Sequence, residues 1–253
     1  TGGGWAPDQE ATLKIWLDGA DSNSITVDGS NRVSQWDNKS GGSNFAQGVA
    51  TNQPLYLPAN QSIRFNSGGQ VDEYLIVPAD DWGMTGNPAV TVVAYWDISG
   101  NDPFGRPGLL CVDNGSHLSF GMNTDVLGIL SAPGHESYGP TQSVGTTLLS
   151  SWQRPLNGNR TDGSIYTDGV NALSFTSTQG GGPNIVANCP TIIGAGYEGG
   201  VPSQAIRADV YEIVMFNSSD TDVRQRTEGY LAHKWGVTNL LDASHPYKSS
   251  APV

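Results

Sequence analysis

The sequence predicts an all-β protein: a two-sheet antiparallel jelly-roll sandwich with one amphipathic helix packed against it near the C-terminus. Charged residues make up only 14% of the 253 residues and glycines number 33, a composition that favours strands and turns over helices. Short apolar stretches alternate with turn signals at spacings of about ten residues, which is the pattern of a β-sandwich. The stretch 208–236 combines a strand with the one convincing helix, and the rest of the chain is organised around it.

The first half of the chain is predicted to contain several short strands and one strong central strand. A hairpin is predicted at 25–36, because alternating apolar residues flank the turn sequence Asp28-Gly29-Ser30-Asn31. The segment 89–96 is apolar and rich in β-branched residues, which favours a central strand. Further short strands are predicted at residues 13–17, 63–65 and 74–77.

The second half continues the same pattern. A hairpin at 164–175 is indicated by the turn at Asp168-Gly169 between two alternating segments. Residues 133–140 are predicted to form a loop carrying His135, Glu136 and Tyr138. The other predicted elements are a hairpin formed by 109–112 and 118–122, and strands at 127–130, 146–152 and 191–196, the last running into a loop at 197–200.

The strand predicted at 208–217 is apolar or aromatic over most of its length, which indicates that both of its faces are covered. Strict alternation places Asp209 and Glu212, three residues apart, on opposite faces. Glu212 would then share its face with Val210, Val214 and Phe216. A carboxylate in that position is either a catalytic group with a raised pKa or a structural carboxylate held by a basic or backbone partner.

The helix that follows carries its own start and stop signals. Ser219 is predicted to cap its N-terminus, with Asp220 and Asp222 in the first turn, where the helix dipole favours acids. Gly236 is placed to end it. One packing face is predicted from the helical spacing of Val223, Thr227, Tyr230, Leu231 and Trp235.

Charge and length limit the partners and the domain count. A net charge of −12 argues against nucleic acid and anionic membranes, which both need basic patches, and it permits neutral glycans and divalent cations. No apolar run is long enough for membrane insertion, and residues 1–5 do not have the apolar core of a signal peptide. No linker-rich boundary divides the chain, so residues 1–253 are predicted to form a single domain. Cys111 and Cys189 fit either a disulfide or two buried thiols.

Several sequence segments carry a resemblance to a known family. The segments are LKIWLDGAD at 13–21, VSQWDNKSG at 33–41, IYTDG at 165–169, EGYLAHKWG at 228–236 and HPYK at 245–248. Over nearly its full length the chain resembles a concanavalin A-like, laminin-G-like jelly-roll domain of the kind found in bacterial surface or secreted proteins and in phage virion proteins. The resemblance implies two antiparallel sheets, one of them concave and able to hold a glycan, and an extracellular or virion-surface location.

Catalytic signatures are missing from the sequence. Some hydrolases on this fold carry the strand motif Glu-x-Asp-x-x-Glu, and none of the six glutamates, at positions 10, 73, 136, 198, 212 and 228, belongs to such a motif. The histidines form no metal-binding motif, although a lyase that uses a Tyr/His pair stays open at His135 and Tyr138. We therefore predict no catalytic residues and a chain that is not an enzyme.

Calcium is the one cofactor that the sequence suggests. Oxygen-rich loops occur at 18–23, 28–31 and 37–38, and calcium needs six to eight oxygen ligands. Asp and Asn are also the residues that tight turns require, so both interpretations stand.

Ligand-binding residues are predicted from aromatic or polar side chains in loops, because sugar rings stack on aromatic faces beside hydrogen-bonding groups. Trp16, Trp36, Trp96 and Trp235 lie in predicted elements and are expected in the core. The predicted ligand-binding residues are Trp82, Phe104, His135, Tyr138, Trp152 and Tyr197.

Three functions compete at this point. The first is a non-catalytic extracellular module that binds a polysaccharide or a cell-surface glycan, on a phage virion or in a secreted bacterial protein. The second is a virion structural protein, a capsid decoration or tail component, whose jelly roll contacts other virion or surface proteins. The third is a polysaccharide hydrolase or lyase. The sequence favours the first.

Overall fold

The protein folds as two large β-sheets with one α-helix, which confirms the prediction of an all-β sandwich. The computed structural model describes residues 4–66, 73–80, 82–100, 108–112, 118–123, 126–131, 136–159, 162–175, 182, 184–198 and 201–253. Strand pairing in the two sheets is antiparallel throughout, apart from one parallel contact between Ala205 and Gly108.

Eight strands form the first sheet, called sheet A. They are β1 Leu13–Asp18, β5 Leu55–Leu57, β6 Ser62–Phe65, β8 Val90–Ile98, β13 Thr147–Arg154, β14 Gly163–Thr167, β15 Val170–Phe175 and β19 Ala208–Phe216. Their order is β15-β14-β13-β8-β19-β6-β5, and β1 pairs with the later part of β19.

Eleven strands form the second sheet, sheet B. They are β2 Ile25–Val27, β3 Val33–Trp36, β4 Phe45–Ala46, β7 Leu75–Val77, β9 Gly108–Val112, β10 Leu118–Asn123, β11 Val126–Ser131, β12 Glu136–Thr141, β16 Thr191–Ile193, β17 Ala195–Glu198 and β18 Val201–Ala205. The main path runs β12-β11-β10-β9-β16-β7-β4-β3-β2. Most strands of the two sheets follow the sequence prediction, and β4, β5, β12 and β18 are additions to it.

The core lies between the two sheets. Trp36, Trp96 and Trp152 are fully buried, and Phe45 and Phe120 join them from sheet B. Residues of β13 alternate strictly: the ring of Trp152 packs inward against Phe120, with ring centroids 6.1 Å apart. Burial of this many large side chains is the main stabilising contribution to the fold.

Helix α1, Thr221–Lys234, covers the outer face of sheet A. Its Leu231 packs with Val93 and Leu149, residues of β8 and β13 whose neighbours in the chain point into the core. The cap is Asp220, whose side chain accepts a hydrogen bond from the N–H of Asp222, and not Ser219 as predicted. The predicted and the observed caps are neighbours in the chain. Serine and aspartate are both good capping residues, and only one of them can occupy the capping position.

A β-bulge in β19 corrects the predicted faces of the two acids. Val210 pairs with Trp96 and Glu212 pairs with Tyr95, so Tyr211 is an extra residue in the ladder. The extra residue reverses the alternation, and Glu212 therefore lies on the outer face with Asp209 instead of opposite to it. Val210 points into the core and does not share the face of Glu212.

Two further local predictions are corrected by strand pairing. Residues 136–141 form β12 at the edge of sheet B, where Tyr138 pairs with Gly128, rather than a loop. Gly and Pro in this segment weaken its strand signal, and the pairing with β11 overrides that weakness. The predicted strand 191–196 is interrupted at Gly194, which separates β16 from β17. Cys111 and Cys189 are both buried as thiols and are not joined by a disulfide.

Gly194 gives a sharp test of the packing. Its φ is +89°, and a Cβ there would lie 2.1 Å from Cδ1 of Phe65. We expect Gly194→Ala to lower the free energy of unfolding by about 2–5 kcal/mol, through backbone strain and overpacking together. The matched control is Gly145→Ala, with φ +83° and nothing within 4 Å of the Cβ, which should lose only about 1–2 kcal/mol. Urea denaturation of both variants measures the difference, and equal losses would contradict the packing argument.

The ends of the described chain meet. The N–H of Trp5 donates to the carbonyl oxygen of Pro252 at 3.0 Å. The C-terminal segment is docked on the sandwich, since His245 is buried and its Nε2 lies 3.0 Å from Oε2 of Glu228. Among the described residues, no helix is both long enough and apolar enough to cross a lipid bilayer.

Candidate functional site

Two of the six predicted ligand-binding residues are core residues. The indole N–H of Trp82 donates to Oγ1 of Thr191 at 2.7 Å, and its ring stacks on Phe45 with centroids 5.9 Å apart. Trp152 lies in β13, within the strand predicted at 146–152, and it has no exposed surface. Because a sugar cannot reach either ring, neither residue is assigned to a ligand site, which corrects the sequence prediction.

The other four predicted residues are not brought together by the described structure. Phe104 and His135 lie outside the described residues. Tyr138 and Tyr197 lie in β12 and β17, and only their backbone pairing, with Gly128 and Pro202, is described.

The carboxylates of the predicted calcium loops are used by cations and amides of the protein itself. Asp18 and Asp21 both contact Nζ of Lys39, at 2.9 and 3.1 Å. Asp28 accepts hydrogen bonds from the N–H groups of Ser30 and Arg32 within its own turn. Over the described ranges, no three His, Cys, Asp or Glu side chains are grouped to hold a metal ion. These loops are explained by turn chemistry and ion pairs.

Glu212 is the centre of a buried polar cluster between β1, β19 and α1. Its Oε1 accepts from the indole N–H of Trp16 at 2.7 Å, and its Oε2 accepts from Nζ of Lys234 at 2.6 Å. The indole N–H of Trp235 donates to the same Oε2 at 2.8 Å. Lys234 also contacts Asp18 at 2.6 Å, so one ammonium joins two carboxylates.

The electrostatics of this cluster are those of a structural brace. Burial raises the pKa of Glu212, and the ammonium of Lys234 opposes that shift. The hydrogen bonds from Lys234 and Lys39 outweigh burial at Asp18 and lower its pKa. Two neighbouring acids with pKa shifts of opposite sign are typical of catalytic pairs. Glu212, however, is completely enclosed, and no substrate atom can approach it. The structural interpretation of Glu212 is therefore the better one.

A second buried cluster lies under α1 and was not foreseen from the sequence. Nη1 of Arg224 donates to both carboxylate oxygens of Glu228 at 2.7 Å. Oγ of Ser151 donates to Oε1 of Glu228 at 2.6 Å, and Nε2 of His245 lies 3.0 Å from Oε2. Ser151 and His245 both bind Glu228 and not each other. The serine–histidine hydrogen bond that nucleophilic catalysis needs is therefore absent from this cluster. The i, i+4 spacing of Arg224 and Glu228 was the available sequence signal.

An open cavity of about 380 Å³ lies beside this cluster, where the outer face of sheet A ends at the N-terminus of α1. We call it the Phe175 cavity. It is lined by Gln153, Pro155, Asp162, Gly163, Ser164, Ser174, Phe175 and Ser219. Its volume is at the small end of the roughly 300–1,000 Å³ that ligand pockets usually occupy.

Strand register builds the polar floor of the Phe175 cavity. Gln153 pairs with Ser164, and Ser164 pairs with Ser174, so three polar side chains stand in a row across β13, β14 and β15. The hydroxyl oxygens of Ser164 and Ser174 are 2.9 Å apart, and Nδ2 of Asn171 donates to Oγ of Ser174 at 2.7 Å. Phe175 pairs with Gly163 at one end of the row, and its half-buried ring packs on the core.

The amide of Gln153 is fixed by the helix and the sheet. Its Nε2 donates to Oγ1 of Thr91 and to the carbonyl oxygen of Asp220, and its Oε1 accepts from Nε of Arg224. Gln153 therefore links the Phe175 cavity to the buried Arg224–Glu228 pair and holds the N-terminus of α1 at the rim.

A buried guanidinium organises the loop that forms the adjacent wall. Arg154 has no exposed surface, and burial lowers its pKa to about 10, so it stays charged at neutral pH. Its Nη2 donates to Oδ1 of Asn87 and to the carbonyl oxygens of Gly158 and Asn159, at 2.8–3.0 Å, and its Nη1 donates to the carbonyl oxygen of Asp162 at 3.1 Å. These bonds determine where the loop between β13 and β14 runs, and with it the positions of Pro155 and Asp162.

The cavity could not be recognised from the sequence, because its residues come from positions 153–175 and from Ser219, which only the fold brings together. The available signal was the hairpin at 164–175, which was predicted correctly. Its outward-facing serines were not considered as ligand contacts.

Comparison with known proteins supplies solved structures of similar fold. No protein-family model matches the chain, and no curated protein matches its sequence. A sialidase from Trypanosoma rangeli in complex with sialic acid is similar with a TM-score of 0.59 and 18% identity, over 89% of this chain and 33% of the sialidase. The chain thus spans about a third of the length of that enzyme. Domain 4 of AbnA, a GH43 extracellular arabinanase from Geobacillus stearothermophilus, in complex with arabinotriose, is similar with a TM-score of 0.53 and 14% identity, over 85% of this chain and 98% of that domain.

These similarities correct one prediction and narrow another. The prediction that the chain is not an enzyme is wrong as an exclusion, since the similar sialidases are catalytic proteins although the Glu-x-Asp-x-x-Glu motif is absent here. At such identities the likeness establishes the fold alone. It supports a β-sandwich and not specifically the concanavalin A-like, laminin-G-like assignment.

Proposed function

We propose that this chain is a carbohydrate-binding domain and that it holds its saccharide in the Phe175 cavity. The observation that carries the proposal is a row of hydroxyl and amide groups on paired strands, in an open cavity at the edge of the sandwich that Phe175 also lines. We include in the proposal an extracellular location and the concanavalin A-like, laminin-G-like assignment suggested by the sequence segments.

The chemistry of the cavity suits a sugar. Phe175 contributes an apolar residue to the lining, and Ser164 and Ser174 can both donate and accept hydrogen bonds. Their hydroxyls and the fixed amide of Gln153 stand on paired strands, which hold them more precisely than loops would. Fixed polar groups beside an apolar surface are what orients a ligand in a pocket of this size.

The fold comparison supports the choice of ligand class. The arabinanase domain is of comparable size and was solved in complex with arabinotriose, and the longer sialidase was solved in complex with sialic acid. We extend carbohydrate binding from those proteins to this chain as part of the proposal, together with a role inside or beside a carbohydrate-active protein.

Titration calorimetry with arabinotriose tests the proposed site. Removing the exposed serine hydroxyls in Ser164→Ala and Ser174→Ala should weaken binding by about two- to tenfold each, the usual worth of one hydrogen bond. The matched control is Ser30→Ala, in the turn between β2 and β3, which should bind like the parent protein. Full affinity in both cavity variants would place the saccharide elsewhere.

A further inference from the structure

We infer that the Phe175 cavity selects neutral saccharides and discriminates against acidic ones, such as sialic acid. This inference rests on the proposed function and gives it a substrate class. It follows from the charges that surround the cavity and from the way the nearby cations are already used.

The charged side chain in the described lining is an acid. Asp162 lines the cavity, and its Oδ2 accepts a hydrogen bond from the N–H of Asn159 at 2.7 Å, which fixes the carboxylate against the wall. Ser219 also lines the cavity, and it is followed in the chain by Asp220, the exposed cap of α1. One carboxylate therefore lines the space in which a ligand would lie, and a second belongs to a residue next to the lining.

Among the described residues, the guanidinium groups of Arg154 and Arg224 beside the cavity are already used by the protein itself. The Nη1 and Nη2 atoms of Arg154 donate to four oxygens of the protein, and the side chain is fully buried. Arg224 binds Glu228 and Gln153 and lies over the ring of Tyr166, 3.7 Å from its centroid. Recognition of a carboxylate normally uses an arginine fork that faces the ligand, and neither of these guanidinium groups offers one.

The positive end of the α1 dipole, near the rim of the cavity, is also in use. The N-terminus of α1 would attract an anion, but Asp220 already caps it, with its carboxylate 2.8 Å from the N–H of Asp222. The whole chain carries a net charge of −12, so the long-range field also repels anions. A neutral sugar is not repelled by these charges, since its hydroxyl groups can donate hydrogen bonds to carboxylates and to serine oxygens alike.

The test compares arabinotriose with sialic acid as free ligands, titrated into the parent protein at low and at physiological salt. Arabinotriose should bind, and sialic acid should bind at least roughly tenfold more weakly, with the gap narrowing as salt rises. Asp162→Asn keeps an oxygen for the N–H of Asn159, and it should reduce the gap several-fold. Ser219→Lys adds a cation at an exposed position of the rim and should raise affinity for sialic acid.

The matched control is Asp28→Asn, which removes one exposed charge from the turn between β2 and β3. In sheet B, β2 lies at the opposite end from β12. This variant should leave the preference for arabinotriose over sialic acid unchanged, because it alters the net charge of the chain without altering the charge at the cavity. Equal or tighter binding of sialic acid by the parent protein would overturn the inference and leave carbohydrate binding standing. Failure to bind either ligand would overturn the proposed function and the inference with it.

Discussion

Replacing Glu228 by leucine should lower the free energy of unfolding by about 3–5 kcal/mol, one of the two largest effects that we expect from a single substitution in this protein. Glu228 has no exposed surface and accepts hydrogen bonds from Arg224 and Ser151, with His245 3.0 Å away. Leucine fills the space but leaves the Arg224 guanidinium buried without its counter-charge. The penalty comes from that uncompensated charge rather than from a lost contact.

Two controls separate this explanation from general damage to the helix. Adding Arg224→Met to Glu228→Leu should recover much of the loss, because an apolar pair of similar volume can replace a buried ion pair. Asp222→Ala breaks an i, i+4 ion pair with Arg226 on the same helix, and it should cost less than about 1 kcal/mol because that pair is exposed. Urea denaturation at pH 7 measures all of these variants. A loss below about 1 kcal/mol in Glu228→Leu would mean that Arg224 finds other partners.

The second large effect is expected for Arg154→Met, which should cost about 3–5 kcal/mol and also weaken saccharide binding several-fold. The substitution removes the donor to four oxygens, those of Gly158, Asn159 and Asp162 on the loop and of Asn87 beside it. Each buried acceptor left without a partner costs roughly 1–3 kcal/mol unless the loop moves to reach water. Such a movement would displace Pro155 and Asp162 from the wall of the Phe175 cavity.

The readout for Arg154 has to distinguish a weaker fold from a damaged site. Arabinotriose titration well below the melting temperature measures the affinity of the folded protein, and thermal denaturation measures its stability. Arg64→Met is the matched control, because Arg64 forms a two-point ion pair with Asp209 at a partly exposed position in sheet A. Asp209 is buried and loses its counter-charge, so this variant should lose stability, but it should lose no affinity because Arg64 does not line the Phe175 cavity. A variant of Arg154 with lowered stability and parental affinity would show that the loop does not shape the site.

Periodicity was enough to predict the sandwich, the hairpins at 25–36 and 164–175, and the helix ended by Gly236. It failed at Glu212, because the β-bulge at Tyr211 inserts one residue and a bulge has no reliable sequence signal. Strict alternation therefore separated two acids that share a face. The same rule, applied to Trp152, would have placed its ring inward, since Leu148 and Ser150 occupy the same face of β13.

The candidate site was the harder part to predict. An aromatic side chain in a predicted loop suggests a ligand contact, but Trp82 anchors its segment to the core through Thr191. The burial of the charged pair on α1 could not be predicted from the sequence for a related reason. Arg224 and Glu228 interrupt an apolar helix face, and whether such residues are buried depends on partners such as Ser151 and His245, which come from distant parts of the chain. Contacts between distant segments are what the sequence pattern alone does not contain.

The hydrogen bond between Trp5 and Pro252 has a topological consequence. Because the two ends of the fold lie side by side, the sandwich can be spliced into a loop of another protein without stretching the host, since the host chain would enter and leave at nearly one point. The same adjacency permits circular permutation: a short linker from 252 to 5 would close the ring, and new ends could be opened in the exposed turn at Val144–Gly145, whose residues do not line the Phe175 cavity.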